Sequence, residues 1–129
     1  MVGHHFVATL MRAGHDYHVT VIGAEPRIAY DRVHLSEVFS GRRTEDLALA
    51  SIEEYASWGV ELVLGESITG ILRDTRKILT STGREFAYDK LVLATGSYPF
   101  VPPVPGHDLE RCVSYRTVED LERIQILAQ

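Results

Sequence analysis

The sequence is poor in the residues that mark several large functional classes. Its single cysteine, Cys112, excludes an internal disulfide and a Cys-x-x-Cys redox pair. No apolar run reaches the roughly 18 residues of a membrane span, and no charged and then apolar leader opens the chain. A net charge of −5 without a basic run argues against a nucleic-acid surface. These absences predict a cytoplasmic protein that binds neither nucleic acid nor membrane.

Metal-ligand spacing is also absent. The six histidines follow no pattern such as His-Glu-x-x-His, so we expect surface or packing residues rather than metal ligands. The 129 residues are enough for one small domain and contain no internal repeat. The function must therefore be sought in the order of strands, glycines and charged residues.

The stretch from Val19 to Arg32 organises the rest of the chain. Val19 begins an apolar run that ends at Gly23 and is followed by an acid, Glu25. Such a run, bounded by glycine and proline, is typical of a buried strand in a parallel sheet. In dinucleotide-binding folds an acid just after the second strand accepts hydrogen bonds from the adenosine ribose. Glu25 stands at that position, although a solvated loop acid is an equally good interpretation of this stretch alone.

The residues before this strand predict a helix. Apolar residues at positions 2, 6, 7, 10 and 11 form one helical face, and Gly14 is a suitable stop. A helix that leads into a parallel strand is the second half of a βαβ unit, so the first strand and its Gly-x-Gly turn are missing from this chain. Gly3 is then the third glycine of G-x-G-x-x-G, where the helix N-terminus faces a pyrophosphate.

Two arginines follow Glu25. Arg27 and Arg32 flank Tyr30 in an irregular segment, and guanidinium groups there could bind phosphate oxygens. The alternative is a surface loop in which Asp31 pairs with Arg32.

Residues 25–36, Glu-Pro-Arg-Ile-Ala-Tyr-Asp-Arg-Val-His-Leu-Ser, resemble a segment of NAD(P)H-dependent assimilatory nitrite reductase large subunits. These belong to the pyridine nucleotide-disulfide oxidoreductase class, in many of whose members the tyrosine, arginine, Leu-Ser and a following lysine line the flavin side. Glu37 stands at the lysine position, which favours the nitrite reductase branch. The disulfide reductases of the class carry a cysteine pair on the stretch that matches residues 35–41. That stretch has no cysteine here, so their function is set aside.

Five short elements are predicted before the last strand. Turn sequences and glycines bound a helix, a strand and a three-segment antiparallel meander. They cover residues 51–58, 60–64, 68–72, 77–80 and 85–88. Trp58, at the end of the helix, is expected to pack rather than to contact a ligand.

The last parallel strand is predicted at residues 90–97, and its small residues would let backbone approach a cofactor. Ala94, Thr95 and Gly96 resemble the second flavin fingerprint of the class, and the proline-rich residues 98–106 resemble its exit from the FAD domain. In relatives, the positions of Ser67 and Ile68 pass their backbone by the adenine ring. From Thr117 a Thr-x-x-Asp capping box opens a helix that in the family leads towards an NAD(P)H-binding domain.

The resemblance implies an α/β, Rossmann-like, three-layer FAD-binding domain with a parallel sheet and a small antiparallel meander, its first strand missing. The expected domains are a partial FAD-binding domain, residues 1–105, and a linker and helix, residues 106–129. No residue of the chain is expected to be catalytic. The expected cofactor-binding residues are Gly3, Glu25, Arg27, Tyr30, Arg32, Ser67, Ile68, Ala94, Thr95 and Gly96.

In the intact family enzyme, FAD takes hydride from NAD(P)H, and electrons pass through an iron–sulfur cluster and sirohaem to nitrite. The resemblance therefore implies FAD and the remainder of the reductase as partners. We expect the chain alone to be inactive, because a missing strand leaves unpaired sheet edges. The alternatives are a fragment of a rubredoxin- or ferredoxin-type reductase and a non-catalytic truncated nucleotide-binding fragment.

Overall fold

The computed structural model describes all 129 residues. Its helices and strands are α1 Val2–Arg12, β1 Val19–Gly23, α2 Ile52–Ser57, β2 Val60–Leu64, β3 Ile68–Leu72, β4 Lys77–Thr80, β5 Glu85–Ala87 and α3 Val118–Leu127. Two 3₁₀ helices lie at Leu35–Ser40 and Thr44–Leu47. The chain divides into two compact units, Met1–Tyr30 with Ala48–Ala94 and Asp31–Leu47 with Thr95–Gln129.

A parallel pair of strands forms the centre of the first unit. β1 and β2 pair from Val19 opposite Val60 to Gly23 opposite Leu64, which confirms the predicted parallel sheet. α1 and α2 cover this pair and join its core, which is built on the buried residues Val7, Ala50, Tyr55 and Val60. Trp58 packs against this cluster, as predicted.

The predicted glycine follows the end of each of these two helices. Beyond α1 the chain turns at Gly14 with φ of 65°, and beyond α2 at Gly59 with φ of 69°. A side chain is strained in this left-handed region, so glycine ends each helix at low cost. Ser51 also accepts a hydrogen bond from the backbone N–H of Glu54 at 3.1 Å and caps α2.

Two expectations for the parallel sheet are wrong. All five residues of β1 are half-buried rather than buried, because β2 is the only strand beside it. Residues 90–97 form no strand, and Val92 and Leu93 are 55% and 66% exposed. A strand requires a neighbour that completes its ladder of hydrogen bonds, and no strand of this chain supplies one here.

The meander follows the sequence closely. β3, β4 and β5 form an antiparallel sheet in that order, with Ile78 opposite both Ile71 and Phe86. β5 ends at Ala87, one residue before the predicted end. Ile78 and Thr80 are buried within it.

Glu66 closes one end of the meander. Its carboxylate accepts hydrogen bonds from Thr82 Oγ1 at 2.7 Å and from Arg84 Nη1 at 2.8 Å. The hydrogen bonds from Thr82, Thr80 and Arg84 lower the pKa of Glu66 to about 2. We call Glu66, Thr82 and Arg84 the Glu66 cluster.

The second unit contains the 3₁₀ helices and α3. The predicted capping box is present: Thr117 Oγ1 accepts from the N–H of Asp120 at 3.2 Å, and Asp120 Oδ2 accepts from the N–H of Thr117 at 3.0 Å. α3 thus starts where the sequence predicts. Its buried residues are Val118 and Leu121, and Leu35 and Leu47 are also buried in this unit.

Candidate cofactor-binding site

Glu25 carries an oriented carboxylate after β1. Its Oε2 accepts a hydrogen bond from Tyr30 Oη at 2.7 Å, and Tyr30 itself is 5% exposed. The backbone carbonyl of Glu25 also accepts from the N–H of Gly65 at 3.0 Å, which ties the turns after β1 and β2 together. A carboxylate has about four lone-pair sites, so a bond from Tyr30 is compatible with ribose hydroxyls as further donors.

Gly3 and Ala94, two predicted site residues, lie side by side. A β-carbon at Gly3 would be 3.5 Å from Cβ of Ala94, so small residues meet at the first turn of α1. That turn has no side-chain cap and no acidic residue. Its backbone N–H groups and the positive end of the helix dipole therefore suit an anion.

In the loop that carries Arg27 and Arg32, Asp31 pairs with a histidine and not with Arg32. Arg27 and Arg32 are both half-buried, one in each unit. Asp31 pairs with His34, whose Nδ1 lies 2.7 Å from Asp31 Oδ2, and Asp31 Oδ1 accepts from the N–H of Val33 at 2.9 Å. The hydrogen bond from His34 is the main cause that lowers the pKa of Asp31. Asp31 thus stabilises its own turn through His34 rather than through the alternative partner, Arg32.

Ser67 and Ile68 lie where the chain enters the meander. The N–H of Ser67 donates to Ser81 Oγ at 3.2 Å, and its carbonyl accepts from the N–H of Ser81 at 2.8 Å. Ile68 pairs with Thr80 in the β3–β4 ladder. The backbone N–H and carbonyl of Ser67 thus both bond Ser81 of the meander.

Thr95 and Gly96 lie in the second unit, where Gly96 lies close to an arginine that the motifs did not mark. Gly96 has φ of 71°, and a β-carbon there would lie 3.1 Å from Arg116 Nη2. The guanidinium of Arg116 also lies over the ring of Tyr98, 5.5 Å from its centroid. The chain separates these residues by the whole proline-rich segment, and the only sequence signal is a cation just before a capping box.

His4, in the first turn of α1, forms a hydrogen bond with Tyr55 of α2. Nδ1 of His4 lies 2.8 Å from Oη of Tyr55, and the ring of Tyr55 meets Trp58 edge to face. Burial is the main cause that lowers the pKa of His4 and that raises the pKa of Tyr55. Both groups are therefore neutral at neutral pH.

The structure contains no group of three or more histidine, cysteine, aspartate or glutamate side chains arranged to hold a metal ion. None of its helices combines the length and the apolar character that crossing a membrane requires. Cys112 is exposed, and its Sγ lies 3.1 Å from the carbonyl oxygen of Gly106.

Comparison with known proteins identifies the family. The family profile described as pyridine nucleotide-disulphide oxidoreductase matches residues 2–128. The chain belongs to this family. This membership confirms the resemblance predicted from the Glu25 loop and the Ala-Thr-Gly turn.

Among curated relatives of this family member are two bacterial nitrite reductase subunits. The NAD(P)H nitrite reductase large subunit of Klebsiella oxytoca is 49% identical over 126 residues, which cover 96% of this chain and 13% of the relative. The NADH nitrite reductase large subunit of Escherichia coli K12 is 44% identical, over 100% of this chain and 16% of the relative. The chain thus spans less than a fifth of the length of either relative.

A solved structure gives the fold independently. The ferredoxin reductase of Rhodopseudomonas palustris matches 93% of this chain and 30% of its own, with a TM-score of 0.82 and 26% identity. The α/β, Rossmann-like class with a parallel sheet and a small antiparallel sheet is therefore confirmed.

Proposed function

We propose that this chain is the FAD-binding part of an NAD(P)H-dependent nitrite reductase. The observation that carries the proposal is the 49% identity to a nitrite reductase large subunit over 96% of the chain. Most of the matched relative lies outside this segment, so the chain supplies cofactor binding rather than the whole reaction.

The donor set of the structure fits a flavin dinucleotide. Glu25 is an oriented acceptor for sugar hydroxyls, and α1 opens with an uncapped first turn that suits a pyrophosphate. Within the second unit, Gly96 has a conformation that favours glycine, and the guanidinium of Arg116 lies beside Gly96. Acceptors for sugar and donors for phosphate are the two chemistries that a dinucleotide requires.

Each predicted residue has a role in this proposal. Glu25 holds the adenosine ribose, and Tyr30 orients its carboxylate through their 2.7 Å hydrogen bond. Gly3 keeps the N-terminus of α1 open to the pyrophosphate. The remaining roles are phosphate or flavin-edge contact by Arg27 and Arg32, adenine contact by Ser67 and Ile68, and flavin contact by Ala94, Thr95 and Gly96.

FAD, when bound, accepts hydride from NAD(P)H and passes electrons onward. In the full-length enzyme they would reach nitrite through an iron–sulfur cluster and sirohaem held by the remainder of the reductase. The protein groups here bind and orient the cofactor and exclude water from it. In this proposal residues 1–105 form the FAD-binding part, residues 106–129 lead to the NAD(P)H-binding domain, and the enzyme is cytoplasmic.

A second candidate is a ferredoxin- or rubredoxin-type reductase. Its support is the TM-score of 0.82 to a ferredoxin reductase, at a lower identity of 26%. A non-catalytic nucleotide-binding fragment is the third interpretation. Acceptor preference of a reconstituted enzyme separates the three: nitrite, a small iron–sulfur protein, or none.

The test uses a full-length reductase in which this chain replaces the matching segment of the Klebsiella oxytoca large subunit. We expect bound FAD and nitrite-dependent NAD(P)H oxidation. Glu25→Ala should weaken FAD binding by about 1.5–3 kcal/mol, because a hydrogen bond to a charged acceptor is lost. Flavin absorbance per protein and a fluorescence titration measure this loss.

Glu53→Ala is the matched control, since it removes an exposed acid of α2 in the same unit. Its FAD affinity should equal that of the unchanged chain. Equal affinity of the Glu25→Ala enzyme would reject the ribose role of Glu25, and a hybrid enzyme without flavin would reject the proposed function.

A further inference from the structure

The first turn of α1 is fixed from two sides by contacts within its own unit. Gly3 lies against Ala94, where a β-carbon would be 3.5 Å from the neighbouring Cβ. On the next residue, Nδ1 of His4 hydrogen-bonds Oη of Tyr55 at 2.8 Å. These two contacts hold the first turn of α1, and Val7 in the core cluster holds the turn that follows.

Tyr55 is a rigid support for this turn. It is 2% exposed and belongs to the buried core cluster. Its ring meets Trp58 edge to face at 5.5 Å between centroids, and it meets the ring of His4 in the same way at 5.8 Å. Because the ring is held by packing, the position of its hydroxyl is set, and the imidazole must come to it.

The first turn of α1 has no side-chain cap. α3 carries a complete capping box, whereas α1 has neither a side-chain cap nor an acidic residue in its first turn. The direction of its first N–H groups therefore depends on contacts from neighbouring elements. Of these, the bond between His4 and Tyr55 is polar and directional.

We propose that His4 and Tyr55 are positioning residues for the dinucleotide pyrophosphate. Their hydrogen bond aims the N–H groups in the first turn of α1 at the phosphate oxygens. A small rotation of the helix would lengthen all of these contacts together, so one bond controls several. The inference rests on the proposed function and adds two residues, one on each helix, that no motif marks.

A double-mutant cycle tests this coupling in the hybrid reductase described above. The variants are Tyr55→Phe, His4→Ala and the pair of substitutions combined, and flavin fluorescence gives the FAD dissociation constant. If the two residues act through one bond, each single change and the double change weaken FAD binding by the same factor, about tenfold. His4→Asn, which can keep a polar atom near the place of Nδ1, should recover much of the loss.

Two controls separate positioning from general stability. Thr9→Ala changes an exposed residue of the same helix beyond its first turn and should leave FAD affinity unchanged. Ile78→Val removes a methyl group from the core of the meander and should lower the melting temperature with FAD affinity retained.

Three outcomes overturn the inference. The first is additive losses in the cycle, and the second is unchanged FAD affinity in Tyr55→Phe. The third is a loss of FAD affinity in Ile78→Val equal to that in Tyr55→Phe when the two variants have the same melting temperature. In each of these cases the unchanged hybrid still binds FAD, and the proposed function stands. A hybrid that never binds FAD rejects the proposed function, and the inference falls with it.

Discussion

The meander and the parallel pair differ in how far along the chain each strand finds its partner. In the meander, Ile71 pairs with Ile78, and Ile78 pairs with Phe86. In the parallel pair, Thr20 and Glu61 hydrogen-bond across strands at a separation of 41 residues. The meander is thus assembled from local sequence, whereas β1 and β2 meet through long-range packing.

This difference explains why the antiparallel sheet is complete and the parallel sheet is not. Antiparallel strands are joined by short turns, so the meander contains its own neighbours. A parallel sheet needs crossovers, and each strand depends on others supplied from elsewhere in the chain. β1 therefore has one strand neighbour, and residues 90–97 have none.

The largest expected effect concerns the isolated chain. Purified residues 1–129 should bind FAD poorly or not at all and should associate or remain partly folded, because the second edge of β1 has no strand partner. Hydrogen exchange should show protected amides in the meander and faster exchange in β1. A soluble monomer with near-stoichiometric FAD and a single cooperative transition would contradict this prediction.

A core substitution in the meander should have the next largest effect. Ile78 is 7% exposed, so Ile78→Ala should cost about 2–5 kcal/mol of local stability by leaving a cavity. We expect amides of β3, β4 and β5 to lose protection while those of α1 and β2 keep theirs. Ile71→Ala, at a more exposed position in the same sheet, is the control and should cost less. Equal loss in both regions would show that they unfold as one body.

Acidification should first affect the packing of α1 beside the parallel pair. Burial, with smaller contributions from His5 and the N-terminal amine, lowers the pKa of His4 below 6.5, against an opposing effect of Glu54. As pH falls below 6.5 the unfolded state takes up a proton on His4 more readily than the folded state does, so the packing of α1 loses stability. Thermal unfolding against pH should flatten in this window for His4→Asn. An unchanged slope in that variant would assign the effect to another group.

The Glu66 cluster should show the smallest effect, in a separate pH window. The pKa of Glu66 is about 2, so its contribution is present above 4.5 and is lost as pH falls towards 2. Glu66→Gln should therefore lower the stability of the meander slightly at neutral pH, where this contribution is present, and remove part of its acid sensitivity below pH 4.5. Glu85→Gln, at the exposed ion pair with Lys77, is the control, because such pairs contribute little.

Local signals in the sequence predicted most of the fold. Gly14 and Gly59 end their helices, and Thr117 begins α3, because each acts through bonds to residues within one turn. The meander boundaries were found within one residue for the same reason. Residues 90–97 were predicted wrongly, since an apolar run indicates strand propensity but carries no information on whether a partner is present.

The candidate site was predictable only in its motifs. The position of Glu25 follows from its place after a strand, but its hydrogen bond to Tyr30 depends on how the loop folds back. The approach of Arg116 to Gly96 joins two parts of the chain that no local pattern relates. Asp31 bonds His34 rather than its neighbour Arg32, because a turn and not sequence adjacency directs its carboxylate.

The Glu66 cluster has a consequence for protein engineering. It closes the meander at the end where the chain enters from β2, while the opposite end is the turn before β4, where Arg76 has φ of 51°. A fluorescent label or an affinity peptide inserted at that distal turn would lie at the end of the sheet away from the cluster, and Arg76→Gly would relieve the left-handed conformation there. The meander could then carry a label or an affinity peptide without any change to Glu25 or to the first turn of α1.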